Sequence, residues 1–329
     1  MVTTMSSKAI IISAPLPSDL RDNLKQQYNI FDIPMGVNPS SVLTLKQCEK
    51  VVGIITSVIT NYGPKEMDLF PSLKVISNFA VGFDNINIQE ASQRNILVCN
   101  TPKVLDNAVA DLAFGLIICV ARDLINVDSY VRKGLWEKKG PPPLGTDIRG
   151  KTLGILGMGR IGLALAKIAK AFDMQVIYHN RNQDKKAEES GLASYRNRDD
   201  LFSESDFLSI HLPLNNSTRS SVGKREFDLM KSTSYLINTG RGAVINEPDL
   251  IDALKSGAIA GAGLDVMANE PISTDHPFCH LKNVVLQAHI GSATVETRDA
   301  MIRLATANLQ NALQGKKPEA MVNPDVFNP

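Results

Sequence analysis

Arg241, Glu270 and His289 stand in three separate segments, LINTGRGAVINEP, GLDVMANEP and LQAHIGSAT, each following an apolar run. That placement puts each residue at the carboxyl end of a strand, where an open α/β sheet binds its ligands. The three residue types form a chemical set. Arginine holds a carboxylate in a bidentate pair, histidine gives or takes a proton near neutral pH, and glutamate can bind the far ring nitrogen and favour imidazolium. Upstream, Gly157, Gly159 and Gly162 make a G-x-G-x-x-G turn between an apolar run ending at Leu156 and a helical pattern over Ile161–Phe172. The first glycine makes the turn, the second lets backbone approach a pyrophosphate, and the third lets helix pack on strand. The helix N-terminus then offers unpaired N–H groups and a favourable dipole to the phosphates.

An NAD site of this type has an acidic residue at the end of the second strand, about 20 residues past the glycines, to accept hydrogen bonds from the ribose. Here the second strand, Gln175–Tyr178, leads to Asn180 and Arg181. A carboxylate would repel a 2′-phosphate, whereas arginine offers it charge-assisted bonds. NADP(H) is therefore expected in preference to NAD(H), with Arg160 as a second cation near the phosphates.

These residues need a scaffold, and the chain alternates strand and helix throughout. Before the glycines, apolar runs at Ala9–Ser13, Val51–Ile55, Lys74–Asn78 and Ile96–Cys99 are separated by helical stretches such as Leu16–Gln27 and Ile88–Arg94. A long helical segment from about Asn107 to Arg122, a second up to Trp136, and a Pro-rich loop at Gly140–Gly145 follow. After the glycines come strands near Phe207–Ile210, Tyr235–Asn238, Ala260–Val266 and Val284–Gln287, a helix Pro248–Lys255 stopped by Gly257, and a last helix over Ala293–Leu313. This βαβ alternation predicts an α/β protein with two doubly wound parallel-sheet domains. The long helical segments on either side of the glycine region read as crossings between domains. A Rossmann-type nucleotide domain at 102–291 is thus expected, inserted into a flavodoxin-like substrate domain made of 1–101 and 292–329.

With 35 Lys and Arg against 34 Asp and Glu among 329 residues, net charge is +1 and no basic stripe stands out, which argues against nucleic acid as a partner. The longest apolar stretch, Leu112–Ala121, is too short to span a bilayer, and MVTTMSSK lacks a signal-peptide core. A cytoplasmic protein without a membrane partner is expected. The four cysteines have no framework spacing and are expected to be buried free thiols. His276, Cys279 and His280 lack the second ligand pair that a structural zinc site needs, so no metal is expected. His211 is expected to line the cofactor cleft, and His179 to reach ribose or phosphate.

The motifs VGFDNIN, VADLAFGL, GKTLGILGMGRIG, NTGRGAVINEPDLIDAL, AGLDV and HIGSATVETR occur in this order between about Val51 and Asn323. In them the chain resembles the D-2-hydroxyacid dehydrogenases, and within that family is most similar to the glyoxylate/hydroxypyruvate/2-ketogluconate reductases. The resemblance implies Arg241 as substrate-binding arginine, Glu270 as partner of the histidine, His289 as acid/base, and backbone amides of Val81 and Gly82 as donors to the substrate carboxylate. On the cofactor side it implies Gly157, Gly159, Arg160, Ile161, Gly162, Leu212, Pro213, Thr218 and Thr239, with Asp265 near the nicotinamide amide. The family often has proline before the histidine; this chain has Ala288. A homodimer is implied too, with the segment around Trp136 and Leu144 near a neighbouring active site. Residues 56–63 (TSVITNYG) are expected to face the variable end of a 2-keto acid. The expected reaction is NADPH-dependent reduction of such an acid to the D-2-hydroxy acid. The rivals are an NAD-dependent phosphoglycerate-type dehydrogenase, a formate-type dehydrogenase, and a dinucleotide-sensing corepressor-like binding protein.

Overall fold

The computed structural model describes residues 8–327. The chain divides into two compact units, the first formed by Met1–Leu105 with Thr294–Pro329 and the second by Asp106–Ala293. Each is built around one parallel sheet.

In the first unit, β1 (Ala9–Ile12), β2 (Asn29–Asp32), β3 (Val51–Thr56), β4 (Val75–Asn78) and β5 (Leu97–Cys99) lie in the order β2-β1-β3-β4-β5. The inner strands are buried on both faces, which is why they read as unbroken apolar runs such as AIII and VVGIIT. Strand β2 escaped sequence reasoning because it is an edge strand, NIFD, half-exposed and without alternation. The closing helix, Val295–Leu313, packs on this sheet: Leu309 and Leu313 lie over Gly53, and the Ser77 hydroxyl donates to the Ala305 carbonyl at 2.7 Å.

The second unit holds β6 (Thr152–Leu156), β7 (Gln175–His179), β8 (Ser194–Tyr195), β9 (Phe207–Ile210), β10 (Tyr235–Asn238), β11 (Gly261–Leu264) and β12 (Val284–Leu286), in the order β12-β11-β10-β9-β6-β7-β8. Strand order reverses between β6 and β9, the switch point at which such sheets bind ligands. On one face Leu153, Ile155, Val176 and Ile237 meet Ala113, Phe114 and Ile117 of helix Asp106–Arg122 and Leu165 and Ala169 of helix Arg160–Ala171. On the other, Leu156, Leu208 and Leu236 meet Phe202, Phe227 and Leu250. Each fully buried Leu, Ile or Phe stabilises the unit by about 1.5–3 kcal/mol, so both faces are firmly anchored.

Two expectations need correction. The second helical segment starts after left-handed Asp123, where the sequence divides it from the first, but left-handed Gly134 breaks it into Leu124–Arg132 and Leu135–Lys139. Cys48 and Cys99 are buried free thiols, but Cys119 is partly exposed and Cys279 exposed, because the short turn Pro277–His280 buries Phe278 instead. No helix among the described residues is long and apolar enough to cross a membrane.

Candidate active site

The glycine turn leaves β6 at the switch point. Gly157 has φ +99°, and a Cβ there would lie 2.9 Å from the His211 carbonyl carbon, so glycine is required twice over. Its N–H donates to the His179 carbonyl at 3.0 Å, tying the turn to the end of β7. A Cβ on Gly159 would meet nothing within 4 Å, which leaves the open approach a phosphate needs, whereas at Gly162 it would lie 2.9 Å from the Gly157 oxygen. Ile161 lies in the first turn of the helix that follows.

Asn180 is committed to this turn. Its Oδ1 accepts the Met158 N–H at 2.6 Å and its Nδ2 donates to the Met158 carbonyl at 3.1 Å. Sequence reasoning placed it beside the ribose; the pairing with a residue 22 positions earlier was not legible. Arg181, next in the chain, is exposed. Arg160, expected near the phosphates, donates from Nε to Asp106 at 3.0 Å. His179 is held through Nδ1 by the Arg196 carbonyl at 2.9 Å.

Leu212 and Pro213 follow β9. The Thr218 hydroxyl donates to the Pro213 carbonyl at 2.6 Å and accepts the Asn215 N–H at 2.9 Å, so it closes this loop on itself. Beneath the glycine turn, burial pushes His211 down to about 4, and the ring stays neutral beside the Ser209 hydroxyl. The Thr239 hydroxyl, after β10, is buried and has no hydrogen-bond partner among the described residues. A buried hydroxyl left unpaired is costly, and a ligand acceptor or donor would satisfy it. The glycine cradle, the helix N-terminus and this hydroxyl together fit a dinucleotide.

The three chemical side chains lie in this unit, beyond the strands on the other side of the switch point. His289 Nδ1 is 2.7 Å from Glu270 Oε2, and Glu270 Oε1 accepts the Met267 N–H at 2.9 Å. Burial, the largest influence on Glu270, pushes its carboxyl up; the His289 bond and charge, the Met267 N–H and the Arg241 charge outweigh it and hold the carboxyl below its ordinary value. With Nδ1 engaged, Nε2 is the nitrogen that can exchange a proton with a ligand. Arg241 is set by a turn in which the Asn238 amide donates to the Arg241 carbonyl at 3.1 Å and accepts the Gly240 N–H at 3.0 Å.

Asp265, expected to contact the nicotinamide amide, is fully buried and occupied. Its two oxygens accept the Ile290 and Gly291 N–H groups at 2.7 and 2.8 Å, and its carbonyl accepts the His289 N–H at 2.8 Å. Burial raises its pKa and the two N–H donors oppose that rise. These bonds hold His289 at φ +55°, so the loop is fixed without the proline that Ala288 replaces.

In the first unit, Val81 and Gly82 follow β4. The Asn100 amide donates to the Val81 carbonyl at 2.8 Å and the Asn78 amide to the Gly82 carbonyl at 2.7 Å. In a trans peptide the N–H points opposite to the C=O, so these bonds turn the Gly82 and Phe83 N–H groups away from the asparagines. The Ala80 carbonyl likewise accepts the Thr101 N–H at 2.9 Å, which turns the Val81 N–H the opposite way. Of residues 56–63, Thr56, Ser57, Thr60 and Tyr62 are buried, and only Val58, Ile59, Asn61 and Gly63 have appreciable exposure. His276 Nε2 is 3.1 Å from Glu247, and among the described residues no three His, Cys, Asp or Glu side chains are grouped to hold a metal.

Residues 114–291 match the family model described as D-isomer specific 2-hydroxyacid dehydrogenase, NAD binding domain. A glyoxylate reductase of Thermococcus litoralis is 43% identical over 326 residues, 97% of each chain. A glyoxylate/hydroxypyruvate reductase B of Salmonella paratyphi B is 40% identical over 318 residues, covering 96% of this chain and 98% of its own. Among solved structures, an NADPH-dependent glyoxylate/hydroxypyruvate reductase from Sinorhizobium meliloti, in complex with NADP and malonate, aligns with TM-score 0.89 at 32% identity over 98% of this chain and 99% of its own. The chain belongs to the D-isomer specific 2-hydroxyacid dehydrogenase family, and its second unit carries the family's dinucleotide-binding domain.

Proposed function

We propose that this protein reduces glyoxylate to its achiral 2-hydroxy acid, or hydroxypyruvate to the D-2-hydroxy acid, with NADPH, in the cytoplasm and as a homodimer. The observation that carries the reading is the 2.7 Å contact between His289 Nδ1 and Glu270, with Arg241 acting on the same carboxylate. Relatives named as glyoxylate and glyoxylate/hydroxypyruvate reductases along nearly the whole chain support the substrate class.

The nucleotide, when bound, supplies the hydride. Arg241 would hold the substrate carboxylate, so that orientation supplies part of the rate. As charge grows on the carbonyl oxygen, His289 would donate its Nε2 proton to it while Arg241 stabilises the same oxygen. Glu270 would keep the imidazole oriented through Nδ1. Arg181, exposed after β7, is proposed as the cation for a 2′-phosphate, which favours NADP(H) over NAD(H). Exposed Leu124, Ile125, Trp136 and Leu144 support self-association.

The test is a panel of glyoxylate, hydroxypyruvate and 2-ketogluconate, with NADPH and NADH oxidation followed in parallel. Turnover of glyoxylate or hydroxypyruvate, faster with NADPH, is expected. No turnover of any of the three with either nucleotide would overturn the reading.

A further inference from the structure

Glu247 opens the helix Glu247–Ser256, and its two carboxylate oxygens go to different partners. Oε2 accepts the Ala268 N–H at 3.0 Å, and Oε1 lies 3.1 Å from His276 Nε2. His276 Nδ1 accepts the Phe278 N–H at 3.3 Å, so the ring proton sits on Nε2 and is donated to Glu247. Both side chains are largely buried, at 17% and 19% exposure, where such bonds are firm. One residue earlier, the Met267 N–H donates to Glu270 Oε1 at 2.9 Å. Two consecutive amides are therefore held by two different carboxylates.

A third restraint acts on the same peptide. Gly242 directly follows Arg241, and a Cβ built on it would lie 1.9 Å from the Met267 carbonyl carbon and 2.5 Å from the Ala268 nitrogen. The Gly242 backbone thus rests against the Met267–Ala268 peptide, which links the Arg241 turn to the Glu270 loop.

We infer that Glu247, buttressed by His276, is a positioning residue for the reaction: it clamps the Met267–Ala268 peptide against which both Arg241 and Glu270 are set. The inference rests on the proposed roles of Arg241, Glu270 and His289. Without the clamp, the Met267 N–H drifts from Glu270 and the His289 partner loses its alignment, and a displacement of about 1 Å is enough to cost up to 100-fold in rate. Glu270 faces His289, Arg241 and Asp265; Glu247 faces His276, while Asp249 in the same helical turn accepts the Lys224 N–H at 2.9 Å instead.

The experiment uses the intact protein with NADPH and whichever of glyoxylate and hydroxypyruvate it reduces faster. Glu247→Ala is expected to lower kcat about 10- to 100-fold and to move the acid limb of the kcat profile to higher pH, with the NADPH Kd unchanged. Glu247→Asp, one methylene too short to reach both partners, should move both quantities in the same direction while keeping the charge at the helix start. Glu247→Gln keeps an oxygen for the Ala268 N–H but sets its amide N–H against the His276 Nε2–H, so its kcat should fall by less than that of Glu247→Ala. A wild-type kcat and unmoved limb in Glu247→Ala or Glu247→Asp, or a parallel loss of NADPH affinity, would overturn the inference, as would a Glu247→Gln variant as impaired as the alanine. If the wild type reduces no keto acid, the functional reading fails alone. The clamp is then read from the Glu270 carboxyl by 13C NMR: an upward titration shift in Glu247→Ala or Glu247→Asp supports it, and no shift overturns it.

Discussion

Replacing Asn180 with Asp introduces the residue an NAD site ordinarily has at this position, and the structure predicts that it weakens both nucleotides. The new side chain can still accept the Met158 N–H, now at 2.6 Å, but it has no donor for the Met158 carbonyl, now at 3.1 Å from Nδ2. One net hydrogen bond is worth about 0.5–1.5 kcal/mol, and an acceptor facing an acceptor adds a penalty of about 1 kcal/mol or more. Rotation away from the carbonyl gives up both bonds, a loss of similar size. The turn must then be re-formed when a pyrophosphate binds, and at 1.4 kcal/mol per decade the Kd should rise about 5- to 50-fold. NADPH should lose more than NADH, because the carboxylate also repels a 2′-phosphate. Nicotinamide fluorescence titrations with both nucleotides provide the assay. An Asn180→Asp protein that binds NADH more tightly than wild type would falsify the turn-holding role and return Asn180 to the ribose.

Arg181→Ser should lower NADPH affinity relative to NADH without touching the turn; an unaltered ratio counts against the 2′-phosphate assignment. His289→Ala should reduce kcat by about 100-fold or more while NADPH still binds, and retained turnover sinks the acid/base role. The lowered Glu270 pKa makes stability depend on acid. Its folded value lies below its ordinary 4.5, so its contribution is complete above that pH and is lost as pH falls through the lowered value. Urea midpoints of wild type and Glu270→Gln should therefore differ more at pH 7 than at pH 3, and a gap that does not narrow refutes the shift.

Runs such as AIII and VVGIIT announce parallel strands because both faces are buried, and the glycine turn is legible because its requirements are local: a positive φ at Gly157 and a close helix approach at Gly162. Edge strands β2 and β8, half-exposed and short, leave no such mark. The break after Arg122 is legible in the sequence, whereas the left-handed break at Gly134 lies inside the second helical pattern and leaves only a single glycine to mark it.

By itself the sequence determined the strand–helix order, the dinucleotide turn and the membership of Arg241, Glu270 and His289 in one chemical set, since each is read from its own few neighbours. The tertiary structure alone decided which polar atoms remain for a ligand. Asn180 is taken by Met158, Asp265 by the turn after His289, Thr218 by its own loop, and Asn78 and Asn100 by the carbonyls at Val81 and Gly82. A buried polar group bonds to whatever packing brings near, and the Glu247–Ala268 bond spans 21 residues that no local pattern connects.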